Sequence, residues 1–213
     1  MSQKNQFAQI KVLALIFVLF CAFAFPAQTF AKNPTNTLPS LSAFVEAVKD
    51  GNAKTLRGIY VSDVMALPIV QQPYGNPGFV SSTPNVATQF STASEVGNIG
   101  LLAHNTLAGA LFSNLKQGDR ITLVYGDGRL ESFSVETKKE YQALEPLSTY
   151  SNFKDLQTET VLTANDLFGV VYRGSYHLTL QTCLERDNNS SWGRLFIIAI
   201  PVTDKNISAQ VKK

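Results

Sequence analysis

Between Tyr176 and Cys183 the side chains alternate in polarity. Tyr176, Leu178, Leu180 and Thr182 fall on one side, and His177, Thr179, Gln181 and Cys183 on the other. A period of two fits a β-strand, because successive side chains of a strand point to opposite faces. Eleven residues after Cys183, Arg194 opens an apolar run, Leu195-Phe196-Ile197-Ile198-Ala199-Ile200, of strand length. A polar loop, Glu185–Ser191, lies between the two runs. This strand–loop–strand unit commits the C-terminal half of the chain to a β-scaffold.

The rest of the sequence agrees with that scaffold. Ser40 reads as an N-cap, with Leu41, Phe44, Val45 and Val48 at helical spacing and Gly51 as a stop, so a helix is expected over about 41–50. Its expected role is to cover one end of the core. Strands are expected at Gly58–Val61, Ala66–Val70 and Ile99–His104. Asn105–Leu115 has Leu107, Leu111 and Leu115 on one face and reads as a short helix. Ile121–Tyr125, the loop Gly126-Asp127-Gly128 and Ser132–Val135 form a hairpin. Residues 136–174 read as a long connection with a short helix near Asn165–Gly169, and a connection of that length usually carries function. Many short strands with glycine turns predict a mainly β barrel or sandwich with small helices.

At 213 residues, 45% hydrophobic and 16% charged, the chain can bury one core of its own. A net charge of +2 gives no basis for a nucleic-acid partner. Residues 1–11 carry Lys4 and Lys11 and no acid, and Val12 to Phe25 is unbroken apolar sequence before Pro26. With small residues around Thr29-Phe30-Ala31, residues 1–31 read as a secretory signal peptide, the alternative being an N-terminal membrane anchor. The apolar run of fourteen is short against the ~20 residues of a spanning helix, which favours cleavage. The protein is therefore expected to be exported to the cell envelope or beyond, touching membrane only through an uncleaved segment. Residues 32–55 form a leader and the N-terminal helix, 56–203 the β domain, and 204–213 a polar tail.

Cleavage would leave one cysteine, Cys183, and no internal disulfide. A lone cysteine is either a buried core residue or a nucleophile. Its place on the more polar face of its strand disfavours the core. His104, at the end of the Ile99–His104 run, is the candidate general acid and base. His177 lies six residues from Cys183 on the same strand, ~20 Å away at 3.3 Å per residue, and cannot meet the thiol. Arg194 precedes a strand expected to pair with the cysteine strand and is the candidate oxyanion or substrate ligand. Arg173 and Arg186 are less well placed rivals. No Cys or His pair has metal-ligand spacing and no glycine-rich phosphate loop appears, so neither metal nor cofactor is expected.

Thr179-Leu180-Gln181-Thr182-Cys183 resembles the sortase signature, Thr-Leu-x-Thr-Cys. Arg194 before an apolar strand is similar to the sortase arginine. His104-Asn105 followed by Phe112, Leu115, Gly118-Asp119 and Ile121 is similar to the sortase histidine segment, with Ala103 where sortases often have glycine. The similarity runs from about Ile99 to Val202. It implies an eight-stranded β-barrel and a cysteine transpeptidase that cleaves a sorting motif of the Leu-Pro-x-Thr-Gly type. The acyl group would pass through a thioacyl enzyme to an amine on cell wall or pilin. His104 would be the acid and base, Cys183 the nucleophile and Arg194 the oxyanion or substrate ligand. Thr182 and Gln181 would bind substrate, and motif preference would reside in 136–174. The alternatives are a hydrolase of the same fold and a non-catalytic, exported peptide-binding barrel.

Overall fold

The computed structural model describes residues 38–202 apart from Thr149. The expected signal segment, most of the leader and the polar tail lie outside the described residues. Among the described residues no helix is long and apolar enough to cross a membrane.

The chain begins with helix α1 (Leu41–Val48), whose N-terminal amides are capped by the Ser40 hydroxyl accepting from the Ala43 N–H. It then forms β1 (Leu56–Val61), β2 (Met65–Gln71), β3 (Ala87–Gln89), helix α2 (Ser91–Glu95) and β4 (Ile99–Leu102). A 3-10 helix (Ala108–Asn114) leads to β5 (Arg120–Tyr125) and the long β6 (Leu130–Ala143). The short strands β7 (Phe153–Asp155) and β8 (Val161–Leu162) precede helix α3 (Ala164–Tyr172), β9 (Leu178–Arg186) and β10 (Asn189–Pro201).

Eight strands close on themselves in the order β10-β9-β4-β3-β2-β1-β5-β6, and β6 pairs back with β10. The result is the expected mainly β, eight-stranded barrel with a few short helices. β7 and β8 continue the sheet beyond β6 as a flap outside the ring. Alternate side chains of each strand point inward. Ile59, Leu67, Leu101, Ile121, Leu123, Phe133, Leu180 and Ile197 are all buried in this interior. The 3-10 helix adds Phe112 and Leu115 to the same core. Each such side chain contributes about 1.5–3 kcal/mol of transfer free energy.

A second apolar cluster lies on the outside of the wall. Tyr141 and Ala143 of β6, Phe196 and Ile198 of β10, and Phe153 of β7 meet Leu167, Val171 and Tyr172 of α3. This packing fixes α3 across the outer face of the barrel. α1 is also on the outside, and does not cover an end as its sequence suggests. Ile59 and Val61 of β1 point inward, whereas Phe44 packs over Gly58 and against Tyr60, with ring centroids 5.9 Å apart. A Cβ on Gly58 would stand 2.7 Å from the Phe44 ring, so the glycine permits the close approach.

Residues 136–174 are not the long connection expected. β6 runs on to Ala143, and β7, β8 and α3 follow. The charged stretch Lys138-Lys139-Glu140 hides the strand, because its pairing with Ile197, Phe196 and Leu195 is what defines it. Nor is Glu185–Ser191 a plain loop. β9 continues to Arg186, and Asp187 and Asn188, both at positive φ (52° and 61°), make a two-residue turn into Asn189. Positive φ at both central positions is the type I′ geometry that matches the twist of paired strands.

Candidate functional site

β9 and β10 are antiparallel, and their register sets Arg194 directly opposite Cys183. Directly opposed residues have Cβ atoms about 4.5–5.5 Å apart. On the other side of β9 lies β4, running parallel, with Leu102 level with Gln181. The ladder continues past the end of β4, because the Ala103 N–H donates to the Gln181 carbonyl (3.2 Å) and the Thr182 hydroxyl donates to the Ala103 carbonyl (2.8 Å). Two steps beyond the Leu102–Gln181 pair, His104 comes level with Cys183. The cysteine strand therefore lies between the arginine strand and the end of β4, from which His104 follows two residues on, strands being about 4.8 Å apart.

None of the three sits at a strand terminus in the way the sequence suggests. Cys183 is three residues inside β9, Arg194 is inside β10, and His104 is two residues beyond β4. The polar run before Arg194 conceals the pairing, since Ser190, Ser191 and Trp192 bulge out between the Asn189–Arg186 and Gly193–Leu184 pairs. That bulge braces both flanks of the cysteine. Asn105 Nδ2 donates to the Ser190 carbonyl (3.1 Å), and Arg194 Nη1 donates to the carbonyls of Ser191 (3.1 Å) and Gly193 (2.8 Å). The guanidinium also lies 5.9 Å from the Phe153 ring.

All three residues line one groove of about 460 Å³ on the outer face of the barrel. Cys183 is a half-buried free thiol and His104 is exposed. Helix α3 forms one wall of the groove through Leu167, Phe168 and Tyr172, and Ser148 and Phe153 extend it. Pro77, Gly78 and Val80, between β2 and β3, form the other. A larger, shallower hollow of about 870 Å³ beside Ser113, Lys116, Glu136 and Lys138 holds neither the cysteine nor a histidine.

Gln181 and Thr182 differ in situation. Gln181 is half-buried in the groove, and its Oε1 accepts from the Tyr172 hydroxyl at 2.6 Å. Burial pushes the Tyr172 phenol far above its ordinary range, so it acts as a fixed donor. Thr182 is 4% exposed, and its hydroxyl is already given to Ala103. A Cβ on Gly109 would clash with that hydroxyl oxygen, so the 3-10 helix packs tightly over it. The threonine thus supports the segment that carries His104.

His177 is kept out of the groove's chemistry by its bonds. It is buried, Nδ1 faces the Ser175 carbonyl (2.7 Å) and Nε2 the Val171 carbonyl (3.0 Å). Arg186 lies over Trp192 and Arg173 over Phe168, and neither lines the groove. The row through Cys183 and Arg194 continues to Tyr141 of β6 and Asp155 of β7 by direct register. Burial, with Asp155 nearby, pushes the Tyr141 phenol up to about 12. Burial also pushes the Asp155 carboxyl up, but the amides of Thr158 and Gln157, Tyr141 and Lys139 outweigh it and hold it below the usual carboxylate range. Tyr172, Asn105 and Phe153 carry no spacing signal in the sequence, because their contacts cross between elements. Among the described residues, no cluster of three or more His, Cys, Asp or Glu has the arrangement of a metal site.

No family model and no curated protein matches the chain. Among the solved structures similar to it are sortases. Sortase C1 from Streptococcus agalactiae is 16% identical with a TM-score of 0.45, over 72% of this chain and 69% of that one. Sortase A from Listeria monocytogenes is 17% identical with a TM-score of 0.43, over 73% and 94%. Sortase C-1 from Actinomyces oris is 14% identical with a TM-score of 0.47, over 78% and 83%.

Proposed function

We propose that this chain is an exported, sortase-like cysteine transpeptidase. The observation that carries the reading is the register of β4, β9 and β10, which sets His104, Cys183 and Arg194 side by side at one groove. Cys183 gives its thiol proton to His104, and Sγ attacks a peptide carbonyl carbon of a sorting-type motif. The developing oxyanion is held by Arg194, whose charge and planar fork suit a carbonyl oxygen. The C–N bond breaks, and His104 gives its proton to the departing amine. A thioester now joins the acyl group to Cys183. An incoming amine, of cell-wall or pilin type, loses its proton to His104 as it attacks the thioester, and Cys183 leaves as the thiolate and takes that proton back from His104. Atoms and protons balance over the cycle, and no cofactor enters. Gln181, fixed by Tyr172, presents its amide to the bound peptide. Export rests on the apolar run Val12 to Phe25 behind Lys4 and Lys11.

The test is incubation of the mature protein with a peptide library and an amine donor, read by mass spectrometry. Ligated peptide is the expected product. Cleaved peptide alone would turn the reading to a hydrolase. No product, with the peptide bound, would turn it to a binding barrel.

A further inference from the structure

The two walls of the groove are held by different means. On the α3 side, three side chains fasten the last helical carbonyls. Asn98 Nδ2 donates to the Tyr172 carbonyl (2.8 Å), the Thr179 hydroxyl donates to the Val171 carbonyl (2.6 Å), and His177 Nε2 meets the same Val171 oxygen. The apolar cluster beneath the helix adds to these.

The opposite wall, Pro77 to Val80, belongs to neither strand nor helix. Its own backbone supplies two turn bonds, from the Asn76 N–H to Pro73 (3.1 Å) and from the Phe79 N–H to Asn76 (3.2 Å). Pro73 and Pro77 have no N–H to give. The far end is anchored by the Ser81 N–H, which donates to the Thr88 hydroxyl of β3 (2.9 Å), and what ties Pro77 and Phe79 themselves to the barrel is the carboxamide of Gln72. Its Nε2 donates to the carbonyls of Pro77 (2.7 Å) and Phe79 (2.9 Å). Its Oε1 accepts from the N–H (2.9 Å) and hydroxyl (2.8 Å) of Ser91, at the start of α2. A carboxamide has two donors and an acceptor oxygen with two lone pairs, so all four capacities are used. Beyond its chain neighbours, a Cβ on Gly78, at the face of the groove, would meet only Asn76 Oδ1, at 3.9 Å, so no barrel side chain packs against that position.

We infer that Gln72 is a specificity-determining positioning residue, which sets the width of the groove by fixing the Pro77–Gly78 wall without touching substrate. The inference rests on the proposed peptide-cleaving function and adds to it. The groove then admits an extended polypeptide of limited girth, and loosening the clamp weakens its grip on that segment while leaving the reacting groups in place.

Two variants test this. Gln72→Glu keeps the acceptor for Ser91 and loses both donors to the loop, and Gln72→Met loses both ends. With a peptide that the wild type cleaves, KM should rise about tenfold in each, the scale of one to two lost hydrogen bonds, with kcat within about twofold. The rate of Cys183 modification by a small methanethiosulfonate should not change. A KM within about twofold of wild type in either folded variant overturns the inference. Amide hydrogen exchange gives an independent reading even if no peptide is cleaved, a result that would sink the proposed function alone. Exchange at Phe79, whose N–H donates to Asn76, should speed about tenfold in Gln72→Met while the amides of α3 keep their protection, and unchanged exchange there overturns the inference.

Discussion

The two faces of β9 carry different burdens. The inward face, Leu178 and Leu180, is fully buried in the barrel core and has no chemistry to offer. The outward face, Thr179, Gln181 and Cys183, is polar, and two of its side chains are engaged by α3, at Val171 and Tyr172. Cys183 alone is left with a thiol at the groove. A strand can divide labour this way because its period of two separates stability from reactivity at adjacent residues. The inward face makes the backbone rigid, and that rigidity fixes the distance from Cys183 to its neighbours on β4 and β10.

Substitutions on the two faces should therefore fail in different assays. Cys183→Ala should remove turnover by roughly 10⁶-fold, the scale of losing a catalytic nucleophile, while changing stability by less than about 1 kcal/mol. A large loss of stability measured by urea unfolding would erase the distinction. Leu180→Ala should do the reverse, costing about 2–5 kcal/mol in the same unfolding experiment through the cavity it leaves. A cost below about 1 kcal/mol would mean that the inward face is not the stabilising one.

Arg194→Lys probes the outward face one strand over. Lysine keeps the charge but loses the planar fork, which Nη1 anchors to two carbonyls of the bulge while its other donors remain for a substrate oxygen, so kcat should fall roughly 10²–10³-fold. Full activity would show that charge alone suffices. Thr182→Val tests the inward residue nearest the site. Losing its bond to Ala103 should cost about 1–3 kcal/mol, with any kinetic loss in kcat through His104. A rise in KM at unchanged stability would instead make Thr182 a substrate ligand, as the signature motif suggests. The smallest effect concerns Tyr141, next in the row after Arg194. Its folded-state pKa, about 12, lies above the ordinary value of 10.0, so the neutral phenol contributes stability that is complete below about pH 10 and lost as pH rises through about 12. Thermal melts from pH 9 upward should fall more steeply for wild type than for Tyr141→Phe, and parallel curves would remove Tyr141 from that balance.

What could be read from the sequence is what repeats locally. The alternation of Tyr176–Cys183 identifies β9 and assigns Cys183 to its outer face, and Gly126-Asp127-Gly128 marks the β5–β6 hairpin, with Gly128 at φ 87°. Ser40 and the spacing of Leu41, Phe44 and Val48 identify α1. What could not be read depends on partners distant in sequence. β3 and β8, of three and two residues, have no pattern of their own and exist through pairing with β2, β4 and β7. The second half of β6 is charged and is a strand because β10 lies beside it. The same limit applies to the site. Cys183 and Arg194 are eleven residues apart and can be paired on inspection, whereas the level of His104 with Cys183 follows from a parallel ladder whose partners lie 79 residues apart, and Gln72, Asn105 and Tyr172 act across elements.

That parallel ladder also bears on when the site comes into being. The β9–β10 hairpin closes through a two-residue turn and can form on the microsecond scale of local contacts. Docking β4 against β9 must first close a loop of 79 residues, and such non-local pairings are the slow ones. A newly made chain thus acquires its Cys183–Arg194 pair early and the neighbouring His104 late. On the proposed mechanism the thiol has no proton donor for a leaving amine until the barrel closes, so it cannot complete the cleavage of a protein met on the way to the folded state. Order of assembly acts here as a latch, set by the distance along the chain between a histidine and a cysteine.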